Sequence, residues 1–390
     1  MTEVKKIFVI ASEASGDMLG AKLLAEINKN NNYKYELTGV GGQLMQAQNF
    51  TSIFPLEDLA VMGFVEVIAV LPRIISRINF TYQKILEFKP DIIITIDSPD
   101  FCFRVMKKLQ KNNFFTSCKK VHLIAPSVWA YRENRAQKIA KIYDLLLAIL
   151  PFEPPYFEKY GLKTVFIGHP LINDKPDFSK KELIKLEISK TYQISVNNKF
   201  FLLTPGSRIS EVNKIFPVFI ETMNRLKSDY PDLIVFIPVV KKTKELIEKL
   251  AKNLQVKYFL IEDNLLKKNI FMSVDFALAK SGTNTIEISL HKIPLIIAYK
   301  INLISYFIVK KLVKIKFANL LNLLQNREII PEFLQFDCKA DKIYPKILEL
   351  LSHQNLVDEQ INQTQQSLEM LGLNKIENPM QNAFNEILKL

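Results

Sequence analysis

Short apolar runs alternate with longer amphipathic segments along most of the chain. In the first half, the apolar runs predict β-strands at residues 7–11, 36–40, 91–97, 121–125, 145–150 and 164–167. Segments between them carry apolar positions at helical spacing, for example residues 17–28, 101–111 and 134–143. This alternation of strand and helix is typical of a parallel sheet with crossover helices.

The alternation restarts after a polar break at residues 173–177, which contain Pro176 and indicate a connector. The charged run 180–190 predicts a surface helix. Further strands are predicted at residues 200–204, 233–238, 257–261, 275–279 and 294–298, with helices at 212–228, 242–253 and 283–291 and a helical tail from 341. The fold class is therefore α/β, with two doubly wound parallel-sheet domains and ligands bound at strand ends, in a cleft between the domains.

The length and composition agree with two globular domains. The chain has 390 residues, of which 48% are hydrophobic and 24% charged, and its formal net charge is +12. The basic excess favours an anionic partner, which could be nucleic acid, anionic lipid or a phosphorylated substrate. The three cysteines lack zinc-binding spacing and predict small buried side chains in a reducing compartment. Neither a signal segment nor a membrane-spanning run is expected.

Carboxylates follow two predicted strands of the first half. Glu13 lies in the first post-strand loop, where it could bind sugar hydroxyls, while Ser15 and Asp17 are ordinary helix caps. Asp97 and Asp100 follow an almost wholly apolar strand. A carboxylate near an apolar wall can act as a base toward a sugar hydroxyl, although Asp and Pro are equally typical of a capped turn.

A third post-strand loop contains the only tryptophan of the chain, Trp129, followed by Tyr131 and Arg132. Aromatic side chains can flank a sugar ring or an acyl chain, and an arginine can bind phosphate. Packing of Trp129 beneath the loop is the alternative.

Two loops of the second half suit a diphosphate. Gly206, Ser207 and Arg208 predict a tight strand-to-helix turn, in which Arg208 would neutralise charge on a leaving group. Residues 281–283 offer backbone donors at a helix N-terminus, and Glu287 one turn later could face a ribose diol. The alternative is a Ser/Thr cap with a capping-box glutamate. The sequence has neither a GxGxxG fingerprint nor a Walker-type loop, which disfavours a nicotinamide or P-loop site.

Two apolar segments bear on membrane binding. Residues 288–327 contain no acidic side chain and include several lysines, and residues 61–71 are mainly apolar. If exposed, such segments form a basic membrane-surface element, and if buried they belong to the core. Their joint presence on a basic chain favours a lipid-facing surface.

Taken together and in order, these motifs resemble those of the lipid-A-disaccharide synthase family. The resemblance extends over nearly the whole chain, at residues 12–17, 59–67, 96–101, 126–132, 150–153, 166–170, 205–208, 281–283, 322–324 and 327–328. Each motif is weak alone, but their joint order is specific. The family usually has Gly where Ser12 stands and often Pro where Leu321 stands, and neither departure replaces a charged group.

The resemblance implies a GT-B fold with Rossmann-like domains at residues 1–172 and 173–365, and a final helix within 366–390 that packs back on the first domain. It implies the inverting condensation of UDP-2,3-diacylglucosamine with 2,3-diacylglucosamine 1-phosphate to a β(1→6)-linked disaccharide 1-phosphate and UDP. It also implies a peripheral enzyme on the cytoplasmic face of the bacterial inner membrane, without metal or cofactor. A homodimer stays open, and no RNA-binding motif supports a nucleic-acid partner.

The resemblance also implies roles for individual residues. Asp97 matches the candidate base for the acceptor 6-hydroxyl, with Asp100 and Glu13 as the alternative carboxylates. The UDP-sugar site is matched by Gly206, Ser207, Arg208, Ser281, Gly282, Thr283, Glu287, Asn322, Arg327 and Gln335. The N-terminal and acceptor loops are matched by Ser15, Trp129 and Arg132.

Other functions remain open at this level. A lipid-linked glucosaminyltransferase or a UDP-sugar epimerase would share the GT-B fold, and a membrane-associated nucleotide-sugar binder would share it without turnover. Turnover of a labelled donor, and a comparison of acylated with non-acylated UDP-sugar, would separate these classes.

Overall fold

The structure is a computed structural model that describes residues 3–59, 66–130, 133–303, 306–307, 311 and 316–390, without the side chains of 66–70, 99 and 113–114. It divides into two compact units. Unit 1 comprises Met1–Asn173 and Asn374–Leu390, and unit 2 comprises Asp174–Leu373. The boundary expected after residue 365 lies within the helix Gln354–Met370, which belongs wholly to unit 2. The chain leaves unit 2 only after that helix ends.

Unit 1 contains a sheet of seven parallel strands. The strands are β1 (Val4–Ala11), β2 (Lys34–Val40), β3 (Thr51–Ser52), β4 (Ile92–Ile96), β5 (Lys119–Leu123), β6 (Leu145–Ala148) and β7 (Lys163–Phe166). Their spatial order is β3-β2-β1-β4-β5-β6-β7. β4 lies in the middle and is buried along its whole length, which explains why its sequence is continuously apolar.

Helices cover both faces of this sheet. They are α1 (Ala14–Asn28), α2 (Gln43–Gln46), α3 (Glu66–Phe88), α4 (Pro99–Leu109), α5 (Arg135–Ala140) and α6 (Pro154–Glu158). Alternate residues of β1 enter two different cores, since Phe8 and Ile10 pack toward α4, whereas Ile7 and Val9 pack toward α1. β1 is therefore buried on both sides, as expected of a doubly wound sheet.

The last helix of the chain, Pro379–Leu388, belongs to unit 1 and packs against α1. Its Phe384 ring meets Tyr35 of β2 edge-on, with 6.2 Å between centroids. Its Glu386 forms an ion pair of 3.0 Å with Lys163 of β7. The last seventeen residues are thus part of the first core.

Unit 2 contains a sheet of six parallel strands. They are β8 (Phe200–Thr204), β9 (Ile234–Pro238), β10 (Lys257–Ile261), β11 (Phe276–Ala279), β12 (Leu295–Tyr299) and β13 (Glu332–Leu334), in the order β10-β9-β8-β11-β12-β13. The helices are α7 (Lys181–Tyr192), α8 (Ile209–Leu226), α9 (Lys244–Ala251), α10 (Asn264–Ser273), α11 (Asn284–Leu290), α12 (Leu320–Gln325), α13 (Ala340–Ser352) and α14 (Gln354–Met370).

The paired phenylalanines of β8 divide between the two faces of the second sheet. Phe201 packs with Phe276 in the core beneath α8, and Phe200 packs with Phe236. Tyr192, the last residue of α7, closes over Phe236 from the same side. Within the described ranges, no helix of either unit is long and apolar enough to cross a bilayer.

Candidate active site

The strand order of each sheet reverses at one point. In unit 1 the reversal lies between β1 and β4, and in unit 2 it lies between β8 and β11. Loops that leave the carboxyl ends of such neighbouring strands diverge to opposite faces and leave a crevice, which is where doubly wound sheets bind ligands. Most of the residues that the motifs single out lie in these four loops or in the first turn of the helix that follows each loop.

Asp97 is the first residue after β4, and its backbone is strained. Its φ is +50° and that of Ser98 is +42°, a left-handed conformation that non-glycine residues adopt rarely. Burial raises the pKa of the Asp97 carboxyl, and the nearby Glu13 carboxylate raises it further. Hydrogen bonds from the Ser98 backbone and the Ser15 side chain lower that pKa in part. The carboxylate is therefore both accessible and basic for an aspartate.

Two cavities flank the switch point of unit 1, which is the place between β1 and β4 where the strand order reverses. One, of about 260 Å³, is lined by Asp97, Ile124, Ala125, Pro126, Ser127, Val128 and Arg135. The other, of about 380 Å³, is lined by Ser12, Glu13, Leu59, Leu71, Ile74, Ser98, Asp100, Phe101 and Arg104. The second cavity combines a charged rim with an apolar wall, so it suits an amphipathic ligand.

The alternative carboxylates differ from Asp97 in their surroundings. The Asp100 side chain is 91% exposed and forms an ion pair of 3.2 Å with Arg135. Glu13 is exposed at the N-cap of α1, without a side-chain capping bond. Both carboxylates face solvent and lack the burial that raises the pKa of Asp97. Among the three carboxylates, Asp97 therefore has the surroundings that favour a proton acceptor.

Asp17 has a role different from the expected helix cap. α1 begins at Ala14, so Asp17 lies in its first turn and is buried. Its carboxylate accepts backbone N–H groups from Gly42 at 2.8 Å, Leu44 at 3.1 Å and Met45 at 3.1 Å. It therefore caps the neighbouring helix α2 and fixes the loop after β2.

Trp129 packs beneath its loop. Its Nε1 donates a hydrogen bond of 3.2 Å to Glu153, and its ring meets Phe152 edge-on at 5.2 Å. Glu153 also accepts the N–H of Leu150, and burial raises the pKa of the Glu153 carboxyl to about 8. The structure supports the packing alternative for Trp129. Arg132 lies outside the described residues.

The loop after β8 leads into the N-terminus of α8. Gly206 has a φ of +119°, which a residue with a Cβ rarely adopts. Ser207 and Arg208 are exposed, and Arg208 occupies the N-cap position of α8 without a side-chain capping bond. The first backbone N–H groups of a helix and a guanidinium together suit a phosphate.

A hydrogen-bond network joins the loop after β11 to the segment before β13. The Ser281 hydroxyl donates to the Ala318 carbonyl at 2.7 Å, and the Ala318 N–H donates to Glu332 at 2.8 Å. A second chain of hydrogen bonds runs through Thr285. The Thr285 hydroxyl donates a hydrogen bond to the Gly282 carbonyl and accepts one from the Asn319 side-chain amide. Thr283 is exposed at the N-cap of α11.

Asn322 and Gln335 are buried supports within this region. The Asn322 amide donates to the Ile330 carbonyl at 2.8 Å and to Glu332 at 2.7 Å, and it accepts two backbone N–H groups. The Gln335 amide makes two hydrogen bonds to the backbone of Ile301. These amide groups bond to the chain and support the neighbouring loops, and their contact with a donor stays a prediction.

The last two donor-site candidates are accessible. Arg327 is exposed after α12, where its backbone N–H donates to the Asn322 carbonyl. Glu287, on α11, forms an ion pair of 2.7 Å with Lys267 of α10. Neither the capping role nor the ribose contact suggested for Glu287 predicts this ion pair. Lys267 has no sequence signal beyond its charge, because its partner lies twenty residues away.

Charged residues missed by the motif analysis lie at the second switch point. Glu211 is buried in the first turn of α8, and Lys280 follows β11 directly. The signal for Lys280 is visible in the sequence, since it is a lone charge at the end of an apolar strand. No group of three or more metal-ligating His, Cys, Asp or Glu side chains occurs in the part of the chain that the structure describes.

The two switch points define the class of protein. Two Rossmann-like units in one chain, each a doubly wound parallel sheet with one such switch point, form the GT-B fold. The structure is similar to a UDP-GlcNAc 2-epimerase from Neisseria meningitidis bound to UDP-GlcNAc, with a TM-score of 0.64 and 12% identity over 100% of both chains. At this identity the similarity concerns the fold alone.

Sequence comparison then gives the family. A profile of the lipid-A-disaccharide synthetase family matches residues 7–388. The chain is 41% identical over 370 residues to a lipid-A-disaccharide synthase from Rickettsia typhi, covering 94% of each chain. It is 42% identical over 372 residues to one from Rickettsia bellii, covering 95% of this chain and 94% of that one. The chain belongs to the lipid-A-disaccharide synthase family of glycosyltransferases, so the resemblance inferred from the motifs is confirmed.

Proposed function

We propose that this chain is an inverting glycosyltransferase that joins UDP-2,3-diacylglucosamine to 2,3-diacylglucosamine 1-phosphate, giving a β(1→6)-linked disaccharide 1-phosphate and UDP. The observation that carries the proposal is Asp97, a half-buried carboxylate held in a strained backbone at the switch point of unit 1. Membership of a family named for this disaccharide supports the choice of substrates.

In the proposed reaction, the Asp97 carboxylate accepts the proton of the acceptor 6-hydroxyl as the oxygen attacks the anomeric carbon of the donor. The bond from that carbon to the diphosphate oxygen breaks on the opposite side, and the electron pair leaves with UDP. Single displacement of this kind inverts the anomeric configuration. The base contributes about 10²- to 10⁴-fold to such a step.

The cavity with the apolar wall is assigned to the acceptor. Leu59, Ile74 and Phe101 offer apolar surface to an acyl chain, and Glu13 lies at the charged rim. Arg104 supplies a guanidinium on the same rim, which suits the acceptor phosphate. The apolar wall would thus contact the acyl chains of an amphipathic anion, and the charged rim would bind its polar groups.

The donor is assigned to unit 2. The diphosphate would bind at the N-terminus of α8, with Arg208 compensating the charge that develops on UDP. Ser281 and Thr283 frame the neighbouring loop, and Glu287 lies within reach of a ribose diol. Asn322 would act by holding the loops in place.

Attachment to a membrane surface is part of the same proposal. Exposed apolar side chains occur in both units: Leu71 and Ile75 on α3, and Leu303, Phe307 and Phe336 in unit 2. Residues 61–65, the side chains of 66–70 and most of 304–315 lie outside the described part of the chain. With a net charge of +12, such surfaces favour peripheral binding to anionic lipid at the cytoplasmic face of the inner membrane.

The test is disaccharide and UDP formation by the purified chain with both acylated sugars in mixed micelles. We expect turnover with the acylated donor and very little with UDP-N-acetylglucosamine, which separates this function from an epimerase. Asp97→Asn should lose about 10²- to 10⁴-fold in kcat while keeping its UDP affinity and its fold. Asp100→Asn is the matched control and should lose little.

Two results would overturn the proposal. An inactive wild-type chain that folds and binds UDP would exclude the transferase function. Near-normal turnover by Asp97→Asn would remove Asp97 as the base and transfer that role to another carboxylate, with Asp100→Asn as the first variant to compare.

A further inference from the structure

A buried acid lies beneath the proposed diphosphate loop. The Glu211 side chain belongs to the first turn of α8, and the residue is only 5% exposed. Its Oε2 is buried and has no hydrogen-bond partner among the described residues. A Cβ added at Gly206 would lie 2.7 Å from this oxygen, so the carboxylate points directly at the loop.

Two cations meet on the other oxygen of this carboxylate. Lys280 Nζ lies 3.4 Å from Glu211 Oε1, and Arg208 Nη1 lies 3.6 Å from the same atom. Arg208 enters from the loop after β8, and Lys280 comes from the end of β11. Glu211 thus links the two strands that flank the switch point of unit 2.

The amine of Lys280 lies against the second anion-binding loop as well. A Cβ added at Gly282 would meet both Nζ and Cε of Lys280 at 3.3 Å. The backbone N–H of Lys280 donates to the Thr204 carbonyl at 2.9 Å, which fixes the start of this side chain against β8. The ammonium therefore sits between the Gly206 loop and the Gly282 loop.

The charges explain why an acid is tolerated at this position. A lone carboxylate at a helix N-terminus would compete with an anionic ligand for the same N–H groups and would repel that ligand. With Lys280 and Arg208 paired to it, the cluster carries one net positive charge. An ammonium has three N–H donors, so Lys280 can keep its bond to Glu211 and still donate to a phosphate oxygen.

We propose that Lys280 is a further donor-binding residue that contacts the diphosphate, and that Glu211 is the positioning residue that holds Lys280 and Arg208 between the two loops. This inference rests on the proposed function, because it requires a nucleoside diphosphate donor in unit 2. It adds a cation that the family motifs did not single out.

The test is the affinity of the full-length chain for UDP, measured by titration calorimetry. We expect Lys280→Ala to weaken UDP binding about 10- to 100-fold, the effect of one charge-assisted hydrogen bond, and Lys280→Arg to restore most of the loss. The matched control is Lys244→Ala, which removes a lysine of α9 that pairs with Glu248 and Glu262 and should bind UDP like the wild type.

The positioning role of Glu211 requires a second measurement. We expect Glu211→Gln to weaken UDP binding in the wild-type background and to add little in the Lys280→Ala background, because its effect is carried largely by Lys280. Lys280→Gln, which removes the charge but keeps a polar side chain only one atom shorter than lysine, replaces Lys280→Ala if the alanine variant does not fold by circular dichroism.

The outcomes separate this inference from the proposed function. A wild-type chain that binds no UDP refutes the donor assignment itself. A wild-type chain that binds UDP, with Lys280→Ala or Lys280→Gln binding as tightly as Lys244→Ala, refutes the role of Lys280 alone. Fully additive losses for Glu211→Gln and Lys280→Ala refute the positioning role of Glu211.

Discussion

Replacing Asn322 with alanine tests whether the donor-side loops depend on a buried support. Alanine leaves the buried backbone N–H groups of Ile329 and Ile330 without the acceptor that they share at 3.0 and 2.9 Å. Each buried donor left unpaired costs about 1–3 kcal/mol, so the two together cost about 4 kcal/mol in the middle of that range. Glu332 also loses the donor that lies 2.7 Å from its carboxylate.

Hydrogen exchange followed by mass spectrometry measures this loss locally, without assuming that the two units unfold together. A loss of about 4 kcal/mol corresponds to about 10³-fold faster exchange in peptides covering residues 316–335. Asn197→Ala, at an exposed position of unit 2, is the control and should exchange like the wild type. Exchange of the Asn322→Ala peptides within about threefold of the wild-type rate would show that the network does not support the loops.

Two further predictions concern pH. Burial raises the pKa of Asp97, and a base must be ionised to accept a proton. We therefore expect kcat/KM to fall as the pH is lowered through a value above the ordinary aspartate pKa. The residual activity of Asp97→Asn should lack this acidic limb of the pH profile. An acidic limb at or below about 3.9 would contradict the assignment. The pKa of Glu153 is about 8 in the folded protein, above the ordinary value of 4.5. Between these two pH values the folded state binds a proton that the unfolded state releases. The free energy of unfolding of the protein should therefore decline as the pH rises from 4.5 to 8. Glu153→Gln should remove that decline in urea titrations at several pH values, and parallel pH profiles for both chains would contradict it.

Much of the strand framework could be predicted from the sequence. Buried parallel strands are continuous apolar runs, and residues 200–204 and 257–261 are strands over the predicted bounds. The strands β3 and β13 are missing from the prediction because two or three residues cannot show a periodicity. The helix α3 is also missing, since Pro72 interrupts its pattern.

The site was only partly predictable, for a physical reason. The position of Asp97 at the end of a central strand was identifiable from the local sequence, whereas its role as a base stays a prediction. The roles of Asp17, Trp129 and Asn322 depend on partners that the fold brings from other elements, such as Gly42 and Glu153. A polar side chain that binds a ligand and one that binds the protein backbone look alike in sequence. Distinguishing them required the hydrogen-bond partners.

The last helix, Pro379–Leu388, has a consequence for the order in which the molecule forms during translation. The residues of unit 2 are contiguous, whereas unit 1 consists of two segments that lie before and after unit 2 in the sequence. The second segment of unit 1 contains the helix Pro379–Leu388. The ribosome therefore releases everything that unit 2 needs before it releases the segment that covers Tyr35. Although domains commonly fold in the order of synthesis, the domain begun first is here the one completed last.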